Sequence, residues 1–166
     1  MAETFSWYGY NGASTAETSL GTGGNLANFK AIDTAGTIGY DTNPITAGNN
    51  SMELWLKGAW GGTFNKVNNL QFWQDTAFSP ATGLSLYWHT NGTATYTQPS
   101  TATTIAANAV ATSAPGSENL YIGGATGGSL TAAGKSDYIT LQLRTTTAAA
   151  AGDTSLASFT LQYDVS

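Results

Sequence analysis

The chain contains no cysteine. Disulfides, thiol catalysis, zinc–thiolate sites and iron–sulfur clusters are excluded with it. Charge is nearly as scarce. Asp, Glu, Lys and Arg make up 9% of the 166 residues, against ~25% in an average soluble domain. Five cations are scattered along the chain and outnumbered by ten acids, for a net charge of −5. No basic patch of the kind nucleic-acid binding needs can be drawn from them. No apolar run approaches the ~18 residues of a membrane-spanning helix. The opening Met1-Ala2-Glu3-Thr4 has neither the basic nor the apolar region of a secretory signal. Synthesis in a cytoplasm, without Sec export, is the expectation. Helix formers such as Glu, Lys, Leu and Arg are few. The one Ala-rich run, Ala148 to Ala151, is too short to hold a helix and reads as a connection between strands.

In their place stand 27 Thr, 25 Ala and 20 Gly, together 72 residues. The length suits one domain, for which ~150 residues is the usual unit. Apolar residues reach 41%, enough for a packed core and too many for a disordered chain.

Period-two alternation is the dominant signal. Met52, Leu54 and Leu56 alternate with Glu53, Trp55 and Lys57, and Leu84, Leu86 and Trp88 with Ser85, Tyr87 and His89. Ile139, Leu141 and Leu143 do the same, as does the run from Ala157 to Val165. Such alternation sends one set of side chains to the core and the other outward. Weaker strands are expected at 25–32, 62–67, 70–74, 93–98 and 119–122. Asn, Gly and Pro cluster between them, and Asn91-Gly92 reads as a hairpin turn. Nine or so short strands at this spacing predict an all-β fold, an antiparallel β-sandwich with jelly-roll topology. The Thr/Ala/Ser tract from Pro99 to Ala114 is expected as a surface loop or an edge strand.

Residues 1–24 differ from the sandwich domain expected over 25–166. Phe5-Ser6-Trp7-Tyr8-Gly9-Tyr10 is an aromatic patch, followed by small residues without period. It is expected as an extended N-terminal arm that docks on a neighbour, with a first strand plus loop as the alternative.

Chemistry-bearing patterns are weak. The lone His89 lies on an alternating strand beside a turn, a poor setting for a Ser-His-Asp triad. None of the ten acids is spaced as a glycosidase pair. Asp41-Thr42-Asn43 is a fragment of calcium-loop spacing without the rest of the loop. Gly21-Thr22-Gly23-Gly24 lacks the Lys-Ser/Thr ending of a phosphate loop. No catalytic, cofactor or metal residue is assigned.

The surplus is aromatic: five Trp and eight Tyr. Such rings fill cores, stack on sugars and anchor protein interfaces. Trp88 is in register with core leucines. Trp55 lies opposite Met52, Leu54 and Leu56, on a second buried face or at a subunit contact.

Two stretches go further: Trp60-Gly-Gly-Thr-Phe-Asn-Lys-Val-Asn-Asn-Leu-Gln-Phe-Trp73, and Ser136-Asp-Tyr-Ile-Thr-Leu-Gln-Leu-Arg144 with the closing Phe159-Thr-Leu-Gln-Tyr-Asp164. Over roughly residues 50 to 166 the pattern resembles small virion structural proteins of tailed bacteriophages. The resemblance implies a non-enzymatic β-sandwich that decorates the head as a cement protein. It implies the major capsid protein and further copies of itself, as a homotrimer, for partners, with no role for nucleic acid or membrane. The implied location is the capsid surface, after synthesis in the host cytoplasm. On that reading Trp7, Tyr8 and Tyr10 are expected as docking aromatics and Trp55 as a subunit contact. A tail, collar or fibre-base component and a carbohydrate-binding sandwich are the alternatives.

Overall fold

The computed structural model describes residues 2–13, 15–23, 27–37, 39, 42–75, 81–90, 95–102, 105–150 and 157–166. Among them there is no helix. Nine strands form two antiparallel sheets packed face to face, an all-β sandwich. They are β1 (Ala2–Asn11), β2 (Ala16–Gly21), β3 (Leu54–Thr63), β4 (Val67–Gln74), β5 (Leu84–His89), β6 (Asn108–Ala109), β7 (Gly134–Lys135), β8 (Ile139–Thr145) and β9 (Phe159–Val165). The large sheet has the order β2-β1-β3-β8-β5-β6, with β7 also on β3, and the small sheet is β4-β9. This partition of seven strands against two differs from the expected jelly roll, in which eight strands form two Greek keys.

The strongest alternations all became strands. β5, β8 and β9 fall where the period-two runs lie, and β3 begins two residues into its run. The weaker expectations fared unevenly. Residues 70–74 belong to β4, but 62–67 holds only the end of β3 and the start of β4. The described residues of 25–32 and 93–98 are not strands, and 119–122 runs beside β4 without being one. The Asn91-Gly92 hairpin, Asp41 and the run through Ala151 and Asp153 lie outside the described residues.

The arm expectation is corrected. Residues 2–11 are an interior strand, paired with β2 on one side and β3 on the other. Its second alternative, a first strand plus loop, also needs amending, because residues 16–21 return as β2. The reason lies in the side chains of β1. Phe5 and Trp7 point to one face and Tyr8 and Tyr10 to the other, so aromatics on both faces hide the period.

The core fills the space between the sheets. Trp7, Trp60, Phe72, Trp88, Ile139 and Leu141 are all buried there. Phe72 organises it: its ring stacks on Phe159 at 5.2 Å and meets Trp88 at 5.8 Å and Trp7 edge-on at 6.1 Å. Gly58, opposite Trp7 on β3, lets the rings close in; a Cβ there would stand 3.0 Å from both Phe5 and Trp60. This explains why β3 runs through a glycine-rich stretch that breaks its alternation.

The two edges of the small sheet are treated differently. The side of β4 away from β9 is sealed by residues 111–130. Gln74 N donates to Ala111 O, and the amides of Asn119 and Leu120 donate to Leu70 O. Val67 and Leu130 exchange both backbone bonds. The Asn119 side chain binds Phe72 as a strand would: Phe72 N donates to Oδ1 and Nδ2 donates to Phe72 O, each at 2.8 Å. No such cover lies along β9 among the described residues.

Trp7→Ala is expected to lower the unfolding free energy by ~3–5 kcal/mol, as large aromatic truncations in cores do. Denaturant titration checks it, and a loss below ~1 kcal/mol, the range of ordinary surface changes, would remove Trp7 from the core.

Candidate functional site

The large sheet turns one face to β4-β9. Its other face gathers a second set of aromatic and charged side chains. Antiparallel register aligns them: Tyr10 lies opposite Trp55, and Tyr8 opposite Lys57. Trp55 faces Thr140 on β8, Glu17 on β2 faces Tyr10, and Lys135 on β7 pairs with Ala59. Tyr138, two residues before Thr140, completes the set.

One half of this face is covered by the chain itself. Tyr96 packs edge-on against Trp55 at 5.2 Å, and its hydroxyl donates to Gly12 O at 2.9 Å. Tyr138 contacts Trp55 and Tyr10, each with ring centroids 5.1 Å apart. Trp55 is therefore 1% exposed and Tyr10 7%. Beneath residues 105–106 lies a buried polar layer. Ala106 N donates to Glu53 Oε1 at 2.8 Å, and Arg144 Nη2 donates to Ala106 O at 2.7 Å. Arg144 Nε donates to Gln142 Oε1, and Gln142 Nε2 to Ser51 O. The low-complexity tract is thus part loop and part edge strand, anchored by a fully buried Ala106.

The other half is open. Tyr8, Lys57, Lys135 and Tyr138 are each partly exposed. Lys57 Nζ sits 4.0 Å from the Tyr138 ring centroid, and Lys135 Nζ 4.3 Å from that of Tyr8. Lys135 also pairs with Glu17, whose other oxygen accepts from the Tyr10 hydroxyl at 2.8 Å. Of the chain's five cations, two therefore meet here.

Electrostatics fix the protonation of this face. Burial pushes the Tyr10 phenol up, and its bond to the Glu17 carboxylate adds to the shift. Burial likewise pushes Tyr96 up to about 12 and raises Tyr138. The hydrogen bond from Lys135 holds Glu17 below the usual carboxylate range. Burial lowers Lys57, and the nearby Lys135 charge adds to this while Asp137 opposes it. All three phenols stay neutral near pH 7. The arrangement offers flat rings, hydroxyls and cations on one face.

Of the four residues expected at an interface, the structure gathers three here and sends one away. Tyr8 is on the open half. Tyr10 and Trp55 are on the covered half, where their own chain occupies the contact: the docking role expected of Tyr10 is corrected, and Trp55 takes the second buried face that was expected for it in place of a subunit contact. Trp7 is corrected more fully, because it points to the opposite face and packs on Phe72. Sequence reasoning missed Lys57, Tyr138 and Lys135. The first two were within reach, since Lys57 follows Trp55 by two and Tyr138 precedes Thr140 by two, which places them on the same faces. Lys135 needed the β3–β7 pairing.

Among the described residues no group of three or more His, Asp or Glu could hold a metal ion, and no helix could cross a membrane. A crevice between the 27–36 segment and β3, lined by Ile32, Thr34, Glu53 and Trp55, has internal space of ≈ 10 Å³, at the lower limit for one water. No family model, curated protein or solved structure matches the chain.

Burial raises the Glu53 carboxyl above its ordinary value, and the Ala106 amide offsets part of the shift. Between the ordinary and raised values the folded state holds the extra proton, so stability is full at acid pH and falls as pH rises through that window. Glu53→Gln is expected to flatten this slope. Denaturant unfolding from pH 4 to pH 8 checks it, and an unchanged slope would assign the titration to another group.

Proposed function

We propose that this chain is a structural component of a tailed-phage virion, a head decoration protein that binds the assembled shell and cements contacts between capsomers. The observation that carries the reading is the open patch of Tyr8, Lys57, Lys135 and Tyr138, because tyrosine-rich surface set in a charge-poor molecule is what protein interfaces favour. The sequence resemblance supports it. The segments that carry the resemblance build β4, β8, β9 and the end of β3, and one of them contributes Tyr138 to the patch.

On this reading the partners are the major capsid protein and further copies of the chain, on the capsid surface. The mechanism is mass action. A protein that binds only the assembled shell stabilises it by RT ln(1 + [L]/Kd). Contacts repeated between neighbouring capsomers add avidity. The half-exposed tyrosines favour carbohydrate binding as the second reading, since an aromatic ring can lie flat on a sugar.

A cryo-electron-microscopy reconstruction of the native particle tests the proposal, with regular clusters of density on the head as the expected result. Density confined to tail or neck would move the chain to another virion role, and retention on immobilised polysaccharide with elution by free sugar would favour the second reading. Within the decoration role, Tyr8→Ala is expected to weaken shell binding by ~10-fold or more, about 1.4 kcal/mol. Wild-type occupancy at limiting protein would take Tyr8 out of the contact.

A further inference from the structure

We infer that the crevice at the start of β3 binds one ordered water, held by Thr34, Glu53 and Trp55, which ties the 27–36 segment to the large sheet.

Among the described residues, Thr34 Oγ1, Glu53 Oε2, Trp55 Nε1, Trp60 Nε1 and Thr140 Oγ1 are buried polar atoms that meet no hydrogen-bond partner. The first three belong to residues that line the same crevice. A polar atom buried without a partner is costly, and folded proteins pair nearly all of theirs. Three such atoms around one crevice point to a shared partner from outside the chain.

The rest of the segment is held directly. Lys30 O accepts from Met52 N at 2.9 Å, and Lys30 Nζ donates to Gly36 O at 2.5 Å. Asp33 Oδ2 accepts from Gly12 N at 2.9 Å and from Gln98 Nε2 at 3.2 Å. These bonds fix the chain on both sides of Thr34, so the residue cannot swing out to hydrate its hydroxyl.

Position and size agree. The crevice lies where β3 begins, so Met52 to Leu56 all border it. Its internal space of ≈ 10 Å³ admits one water and nothing larger. Glu53 and Trp55 also sense each other. Burial raises the Glu53 carboxyl, and the Trp55 indole N–H is among the groups that oppose the rise, yet Trp55 Nε1 and Glu53 Oε2 share no direct bond. One bridging water spans a gap of that kind.

The chemistry of the three groups selects the guest. An indole N–H only donates, a carboxylate only accepts and a hydroxyl does either. A cation would face the indole proton, and an anion would face Glu53. Water accepts from Trp55, donates to Glu53 and exchanges a bond with Thr34, which gives it the ~3 partners usual for a buried water.

A high-resolution crystal structure of the full chain tests the site directly. Density for one water within hydrogen-bond distance of all three atoms is expected. A crevice closed by direct contacts among the three side chains, or without density, would overturn the inference. Denaturant unfolding of two variants gives a second test. Thr34→Val removes a partner of the water and should lower the folded-to-unfolded ratio by ~5-fold, the worth of a typical hydrogen bond. Thr140→Val deletes an unpartnered hydroxyl whose residue does not line the crevice. It should leave the ratio within ~2-fold of wild type or raise it. A Thr34→Val chain no less stable than Thr140→Val would overturn the inference. If Thr34→Val fails to fold, the density at the wild-type crevice decides.

Discussion

A sheet with aromatic side chains on both faces must be covered on both, and this requirement shapes the rest of the molecule. The inner face takes the small sheet, with Phe72 set among Trp7, Trp88 and Phe159. Among the described residues no strand layer lies on the outer face. It is covered by irregular chain, through Tyr96 at one point and Ala106 at another. Irregular chain cannot satisfy its own backbone as a sheet does, so the covered face has to supply polar partners. That is why Glu53, Gln142 and Arg144 sit in what would otherwise be apolar ground. The cover also stops partway. Tyr8 and Tyr138 remain at its margin, and the proposed recognition surface is the part of the outer face that the described residues leave uncovered.

What could be read from the sequence follows the same division. Strands with one greasy and one polar face announced themselves: β5 and β8 lie where Leu84–His89 and Ile139–Arg144 alternate. β1 did not, because Trp7 and Tyr10 are both buried but on opposite faces, and a run that is apolar on each side has no period to detect. The same ambiguity misplaced the site. Tyr8, Tyr10 and Trp7 looked alike in sequence, and only the pairing of β1 with β3 separates the exposed ring from the covered one and from the core. Trp55 was legible as a residue off the core face. What covers it was not, since Tyr96 lies in the 93–98 segment that was expected as a strand and is instead irregular chain over the described residues.

The few charges are placed with corresponding care. In a chain with 9% charged residues, Lys57, Lys135 and Glu17 share one face, the two ammonium groups each lying over a tyrosine ring. Arg144 lies 4.0 Å from the Tyr87 ring centroid on the same sheet. Rings thus hold three of the five cations, and ring contacts fix the direction of a cation without neutralising it.

Asn119 gives the fold an unusual economy of information. An edge that commonly takes a whole neighbouring strand to close is closed at Phe72 by one carboxamide, which presents donor and acceptor at the spacing of a peptide group. Asp would offer two acceptors to a carbonyl that needs a donor, and Ser is too short to present both. Sequence drift through the surrounding small-residue loop can therefore be broad, while this position is held to a side chain that carries a carboxamide.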